Sequence, residues 1–568
     1  MLVPMVMVLI PLAIAPGVLF YYDVTPKVTI LLLGTTAALI WSWPKDSLNR
    51  HTGRWFGILV LAQTVSLGLS TLLSTRPELS MVGTRWRRYG LITQLAILLF
   101  AWVAAACPPE KIVRAIAFSG IPVACYGILQ YFGWDPFLPA QSYHVGEGIW
   151  TIVRPPATLG HASYFANYLL YVVFAGVALL MTGNRAAGSL AATAGVVGIV
   201  LSGTRAAMLG LAAGAIFLWL VRRPRVRWRL VVAGLGLMAI FYFSPAGQKL
   251  RSRTRWFMED PRGGARLWLW RDSLNLAARH WLAGAGPETF SVEFPKYQSV
   301  ELSRAYPDFY HESAHNIFLD ALTAQGVAGL AVLLVLIVVA LRSAFERKTP
   351  LNSALGAGLA GAVVSQQFTV FTAPTAVCFF VTVGVLCGAP FRRPPKAVPA
   401  LLLLPFVLMA IWLLSADYRL ERVKKALDRG NIREAIAIYE PTLKADLWYS
   451  RKLAVAAQSS PEILVRMRGA QQAFEAAQRA VLTAEDPQNA WYNLAALDAA
   501  RNDFPHTEES LRRAVVASPN WFKPHWLLAQ VLASGGRIDE ARREAAIAVD
   551  LNGGKNPEVE QTLKRLEK

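Results

Sequence analysis

Long apolar runs separated by short polar joints fill the chain from residue 1 to about 415, and beyond that point apolar residues recur only at helical spacing among charges. A run of about 17–25 apolar residues is what crosses about 30 Å of hydrocarbon as a helix. Thirteen such runs are legible, near 4–21, 26–43, 55–73, 90–107, 112–133, 161–182, 187–203, 205–221, 228–244, 316–341, 351–371, 374–390 and 398–415. The pattern predicts an all-α protein. Residues 1–415 would form a polytopic membrane helix bundle of about thirteen spans with an outer loop at about 245–312, and 416–568 a soluble helical domain.

The soluble part repeats. Trp491, Leu494, Ala495, Leu511, Ala514 and Pro519 recur 34 residues later as His525, Leu528, Ala529, Ala545, Ala548 and Gly553. That period is the tetratricopeptide spacing, in which small residues let two antiparallel helices pack and Pro or Gly closes the unit. A weaker unit lies around Gly430 to Ala445. An array of this kind either scaffolds or docks a protein partner, and the repeat itself does not choose between them.

Composition agrees with the pattern: 54% of residues are hydrophobic, 17% are charged and the mean hydropathy is +0.37. A formal charge of +20 would suit nucleic acid, but in a membrane protein basic cytoplasmic loops account for it, and nucleic-acid binding is excluded on that ground. With the N-terminus inside, the cytoplasmic loops hold Lys45, Arg50 and Arg54; Lys111 and Arg114; Arg185; Arg222, Arg223, Arg225, Arg227 and Arg229; Arg342, Arg347 and Lys348; and Arg392, Arg393 and Lys396. The opposite loops are poor in Lys and Arg except for Arg76, Arg85, Arg87 and Arg88, a basic cluster on the wrong side that calls for an anionic ligand. The same parity puts the 245–312 loop and the C-terminal domain outside. Cys107, Cys125, Cys378 and Cys387 form no C-x-x-C pair and read as small buried hydrophobes. The opening MLVPMVMVLI lacks a basic n-region, so it is expected to be a retained first span.

The stretch His311-Glu312-Ser313-Ala314-His315-Asn316 has two readings. As H-E-x-x-H it matches the zincin signature, with two histidines one helical turn apart. A catalytic zinc needs a third protein ligand. The next glutamate, Glu346, falls on the far side of the membrane by the loop count, and Asp320 is too close in sequence to close a tetrahedron. A metal site is therefore not expected. A transporter would need acidic residues within the membrane, where only Asp320 qualifies, and the spans show no internal repeat.

The other reading of Ala314-His315-Asn316 is supported by four further blocks. They are Gly83-Thr84-Arg85-Trp86-Arg87-Arg88-Tyr89-Gly90-Leu91, Arg154-Pro155-Pro156 running on to His161 and Asn167, Leu201-Ser202-Gly203-Thr204-Arg205, and Gly263-Gly264-Ala265-Arg266 with Gly284-Ala285-Gly286-Pro287-Glu288. In this order the five blocks resemble the O-antigen ligase and polymerase superfamily over roughly residues 55–390. The resemblance implies a metal-free, cofactor-free glycosyltransferase of the bacterial inner membrane. Its donor would be a polyprenyl-diphosphate-linked glycan and its acceptor a hydroxyl of a lipid A-core type lipid or another surface molecule. Repeat-unit polymerases and protein O-oligosaccharyltransferases share these motifs. The resemblance assigns catalysis to His315, Arg205 and Arg266, and substrate contacts to Arg87, Arg88, Arg85, His161, Asn167 and Asn316. Arginine suits a diphosphate because its planar fork gives charge-assisted bidentate bonds and stays protonated. The family's core has twelve spans, so the thirteenth is read as the device that carries the tail outside.

Overall fold

The computed structural model describes residues 2–41, 51–145, 152–223, 228–252, 264–388 and 397–568. Lys45, Arg50, Arg225, Arg227, Gly263, Arg392, Arg393 and Lys396, used in the loop and motif readings, lie outside the described residues. The membrane part is built from α1 (Leu2–Leu12), α2 (Thr25–Trp41), α3 (His51–Leu72), the short α4 (Pro77–Val82), α5 (Leu91–Ala104), α6 (Pro109–Tyr131), α7 (Ala162–Met181), α8 (Arg185–Leu201), α9 (Arg205–Arg222) and α10 (Trp228–Phe243). A connecting segment contributes α11 (Arg266–Arg279), α12 (Phe290–Glu293) and α13 (Val300–Ala305), after which α14 (Ile317–Arg347), α15 (Pro350–Ser365), α16 (Ala373–Cys387) and α17 (Ala397–Asp428) complete the bundle. The described strands are one two-residue pair, His144–Val145 antiparallel to Ile152–Val153. The protein is all-α.

Each expected span coincides with a helix, and six helices are long and apolar enough to cross a membrane by length and composition. The first run is a correction: it was expected to continue to about residue 21, but α1 has 11 residues, about 16 Å of helix. Pro16-Gly17 stops it, since the residue before proline is driven out of the α region and Gly17 takes φ +69°. Residues 13–24 turn back instead, tied down by the buried Lys27 ammonium, which donates to the Ala13 and Asp23 carbonyls.

Apolar surface alone gives no preference between helix and lipid, so close packing rests on small residues. α9 and α15 show this best. A Cβ on Gly210 would lie 2.4 Å from the Gly361 carbonyl oxygen, and one on Gly361 would lie 2.5 Å from that of Gly210. Cys378 and Cys387 are buried as expected, whereas Cys125 is exposed on α6.

The loops segregate onto two ends of the bundle. At one end Arg222 donates to the Lys348 carbonyl and Arg347 to that of Leu386, joining the turns that carry most of the described loop cations. At the other end lie residues 13–24, 73–90, 132–145, 152–161 and 264–316, together with the C-terminal array. α17 links the two parts as one helix, and its packing changes partner along its length. Leu403 to Leu413 belong to the membrane core and Leu420 to Leu427 to the array.

The array stacks antiparallel helix pairs: α18 (Ile432–Ile438), then α19 (Asp446–Gln458) with α20 (Ile463–Thr483), α21 (Pro487–Ala500) with α22 (Phe504–Ala517), and α23 (Phe522–Ser534) with α24 (Ile538–Asn552), closed by α25 (Pro557–Glu567). Leu494, Ala495, Leu511 and Ala514 are buried, as are their counterparts Leu528, Ala529, Ala545 and Ala548. The array grips the bundle's loops directly. Arg304 pairs with Asp550 at 2.5 Å, Lys523 with Asp308 at 2.7 Å, and the Arg85 amide donates to Glu485 at 3.0 Å.

Candidate active site

α14 is broken by design of its sequence. Gly326 sits at φ +67°, ψ −164°, which leaves a short helix 317–325 and a long one 327–347. Only glycine fits, because a Cβ there would lie 2.4 Å from the Leu282 carbonyl oxygen. A break in a membrane helix frees backbone groups that must be satisfied by protein. Here the Thr323 carbonyl accepts from the Ala285 amide at 2.8 Å, Ala324 from the Gly286 amide at 3.1 Å and from the Ser70 hydroxyl at 2.5 Å, and the Val327 amide donates to Trp281 at 2.8 Å. The Gln325 amide oxygen accepts from Gln63 at 2.9 Å and Ser66 at 3.2 Å, anchoring the short helix to α3. The Gly284-to-Glu288 motif and the Gln325-Gly326 pair are thus two halves of one joint.

At the mouth of the short helix Asn316 is the N-cap, its side-chain oxygen accepting from the Phe318 and Leu319 amides at 3.0 and 3.2 Å. That use differs from the expected substrate contact. Residues 311–316 are not helical, and His315 takes φ +51°. The zincin geometry, which needs both histidines on one helix face, is therefore not formed, and no group of three potential metal ligands occurs among the described residues. The turn is pinned by the Trp270 indole donating to the Ala314 carbonyl at 3.0 Å and by Asp320 accepting from the Ala314 amide at 3.2 Å.

Arg205 and Arg266 are each the first residue of a helix, α9 and α11. A cation there opposes the helix dipole, so helix stability does not explain either one. A bound anion would be favoured by the guanidinium and the helix end together. Their neighbour is Arg154, which precedes Pro155-Pro156 and approaches Ser163 at 3.4 Å. Burial pushes the Arg154 pKa down, and the charges of Arg266 and Arg205 push it further. The three guanidiniums thus lie within electrostatic reach of one another through Arg154. Sequence reasoning missed Arg154, although it lies in a quoted motif.

His315 joins the same cluster. Burial, then Arg266 and Arg87, push its pKa down to about 4, so the imidazole is neutral at physiological pH. His161 is solvent-exposed at the start of α7, and burial of its surroundings, Arg154 and His315 bring its pKa down to about 4 as well. Its Nδ1 accepts from the Ser163 amide at 3.2 Å, capping α7. His311 is buried between Phe294 and Phe309, ring centroids 5.6 and 4.9 Å away, with neither nitrogen hydrogen-bonded.

The remaining candidates go elsewhere. Arg87 is buried and pairs at 2.5 Å with Glu288, which also accepts from the Thr84 amide at 3.0 Å and the Thr84 hydroxyl, with Asp320 at 3.8 Å. It is a structural pin beside the site, not an open anion ligand. Arg85 pairs with Glu485 of the array at 3.7 Å, and Arg88 stacks over the Trp412 ring at 5.5 Å. Asn167 is fully buried in the bundle, with neither amide atom hydrogen-bonded. A wrong-side basic cluster thus has a partly internal explanation that sequence could not show, because Glu288 and Glu485 lie about 200 and 400 residues away.

Fold and cluster define a multi-pass membrane protein with an arginine- and histidine-lined site at one end of a broken helix. Residues 189–334 match the family model described as O-antigen ligase. The match supports a relationship to the O-antigen ligase superfamily, and the matched segment contains the Arg205, Arg266 and His315 motifs. Among curated proteins nothing matches the chain. The match supports a glycosyl-transferring function of ligase or polymerase type.

Proposed function

We propose that the protein transfers a glycan from a polyprenyl-diphosphate donor to an acceptor hydroxyl at the outer face of the bacterial inner membrane, as an O-antigen ligase. The observation that carries this reading is the gathering of Arg154, Arg205 and Arg266 beside a neutral histidine. In the step, the acceptor oxygen forms a bond to the anomeric carbon while the bond from that carbon to the diphosphate oxygen breaks. The hydroxyl proton passes to His315, and the diphosphate leaves with the bonding pair, neutralised by the three guanidiniums.

His315 is a weak base in the empty site because of its cationic neighbours. A bound diphosphate supplies compensating negative charge and moves the imidazole back toward useful basicity, so donor binding arms the base. His161, within electrostatic reach of His315 and Arg154, serves the sugar or acceptor. The chemistry needs no metal.

The deciding experiment is a purified reaction with a polyprenyl-diphosphate glycan, with and without chelator, in which the product is identified. Sugar on lipid A-core supports the ligase reading. Sugar on a second donor molecule makes the protein a polymerase, and sugar on protein an O-oligosaccharyltransferase. Activity lost to chelation and restored by Zn²⁺ would remove the metal-free mechanism.

In the same assay Arg205→Ala and Arg266→Ala should each lower the rate by about 10–150-fold, the loss of about 1.5–3 kcal/mol per charge-assisted bond. Lysine should rescue only partly, keeping the charge without the fork. Wild-type turnover in both alanine variants would sink the diphosphate role.

The topology assigned is cytoplasmic for the end holding Arg185, Arg222, Arg342 and Lys348, and extracytoplasmic for the site and for residues 416–568 as a tetratricopeptide-like domain serving acceptor delivery or partner docking. Alkaline phosphatase fused after Lys568 should be active and green fluorescent protein there dark. The reverse pattern would put the array inside.

A further inference from the structure

A cavity distinct from the His315 cluster lies at the seam between the bundle and the array. It measures about 730 Å³, within the roughly 300–1,000 Å³ of small-molecule sites. One wall is apolar: Ile92 of α5 and Pro405, Leu408, Met409 and Trp412 of α17. The other is basic, with Arg76, Arg85, Arg88 and Lys444, and it is completed by the end of α20, Leu482 to Glu485. We propose that this cavity binds one anionic membrane phospholipid, its phosphate on Arg88 and Arg76 and its acyl chains along α17.

The charges argue for an anion. Lys444 is taken up by Glu78 at 2.8 Å, and Arg85 by Glu485 at 3.7 Å. The Arg76 guanidinium donates to the Leu482 carbonyl at 3.0 Å and has no carboxylate within ion-pair distance among the described residues. Arg88 is 7% exposed, has no carboxylate within ion-pair distance among the described residues, and its Nε lacks any hydrogen-bond partner. Glu485 and Asp417 act on Arg88 only at longer range, and a buried guanidinium with an unpartnered Nε is costly unless a ligand completes it. Arg87 and Arg88, though adjacent, diverge: one points to Glu288 and the other to Trp412.

The apolar wall argues for a lipid and against a free anion. Leu404, Leu408 and Ile411 of α17 are 51%, 56% and 59% exposed, so the wall runs on into the membrane-facing side of a candidate span. Trp412 stands near the polar end of that span, the headgroup depth at which tryptophan is enriched. Because α4, α17 and α20 all contribute, the lipid would sit between membrane domain and array and hold them together.

The test uses the full-length protein, delipidated in detergent, with native mass spectrometry and thermal unfolding after adding phosphatidylglycerol, phosphatidylethanolamine or inorganic phosphate. Wild type should retain one phosphatidylglycerol and gain thermal stability, with little effect of the zwitterionic lipid or of phosphate. Arg88→Gln should weaken phosphatidylglycerol retention at least about tenfold, the cost of one charge-assisted contact, with its lipid-free unfolding temperature unchanged. Leu408→Trp, which fills the apolar side from an exposed position, should also weaken it and covers the case in which Arg88→Gln fails to fold. Undiminished retention in Leu408→Trp or in a folded Arg88→Gln would overturn the proposal. A shift with phosphate equal to that with the lipid would make the site one for a soluble anion. Neither result bears on the transfer reaction.

Discussion

Replacing His315 with asparagine should lower kcat by about 10²–10⁴-fold, the usual contribution of a positioned base, while leaving KM for the donor within a few-fold. Asparagine is the right probe because His315 sits at φ +51°, which asparagine tolerates better than alanine, so the turn from Ser313 to Asn316 keeps its shape. The pH profile supplies a second reading. A free imidazole would give an acid limb near 6.5. With His315 pushed down to about 4 by burial and its arginine neighbours, the neutral base persists well below pH 6, and kcat/KM should begin to fall only near pH 4. In the donor complex the diphosphate offsets those cations, so the limb of kcat should lie at higher pH than that of kcat/KM. A variant with near-wild-type kcat, or an acid limb that stays in place in the donor complex, would mean that His315 only orients.

Glu288→Ala should destabilise the protein by about 3–5 kcal/mol and abolish transfer, because it leaves the Arg87 guanidinium buried without its counter-ion. Glu288 has 1% side-chain exposure and receives Arg87 as well as two donors from Thr84, so several polar groups lose their partner at once. Glu288→Gln should recover part of the loss, since it can still accept hydrogen bonds but carries no charge. Replacing Arg87 and Glu288 together by leucine should cost much less than Glu288→Ala alone, because the uncompensated charge is gone. Unfolding in detergent read by intrinsic tryptophan fluorescence separates these cases. A single alanine variant as stable as wild type would remove the pair from its structural role.

The apolar runs were legible because a lipid solvent imposes one length and one composition on every span, and 26–43, 161–182 and 205–221 found their helices within a few residues. Pattern failed where local backbone chemistry took over, as at Pro16-Gly17, or where a run of apolar residues hid a break, as at Gly326. In the site, His315, Arg205 and Arg266 stood out because each falls in one of the sequence blocks that carry the family resemblance. Arg154 did not, since its company comes from Arg205 and Arg266, about 50 and 110 residues further along the chain. The partners of Arg87 and Arg85 were hidden for a related reason: a cluster of cations in sequence says nothing about the carboxylates that reach it from far along the chain.

The three neighbouring guanidiniums also bear on what limits turnover. Transfer gives the departing lipid diphosphate one more ionised oxygen than it had as a glycosyl ester, so on the proposed reaction the spent carrier is more negative than the donor. A clamp built to favour that charge holds the product harder than the substrate. The slow event would then be escape of the carrier rather than sugar transfer, and the enzyme would respond to whatever withdraws spent lipid from the bilayer around it.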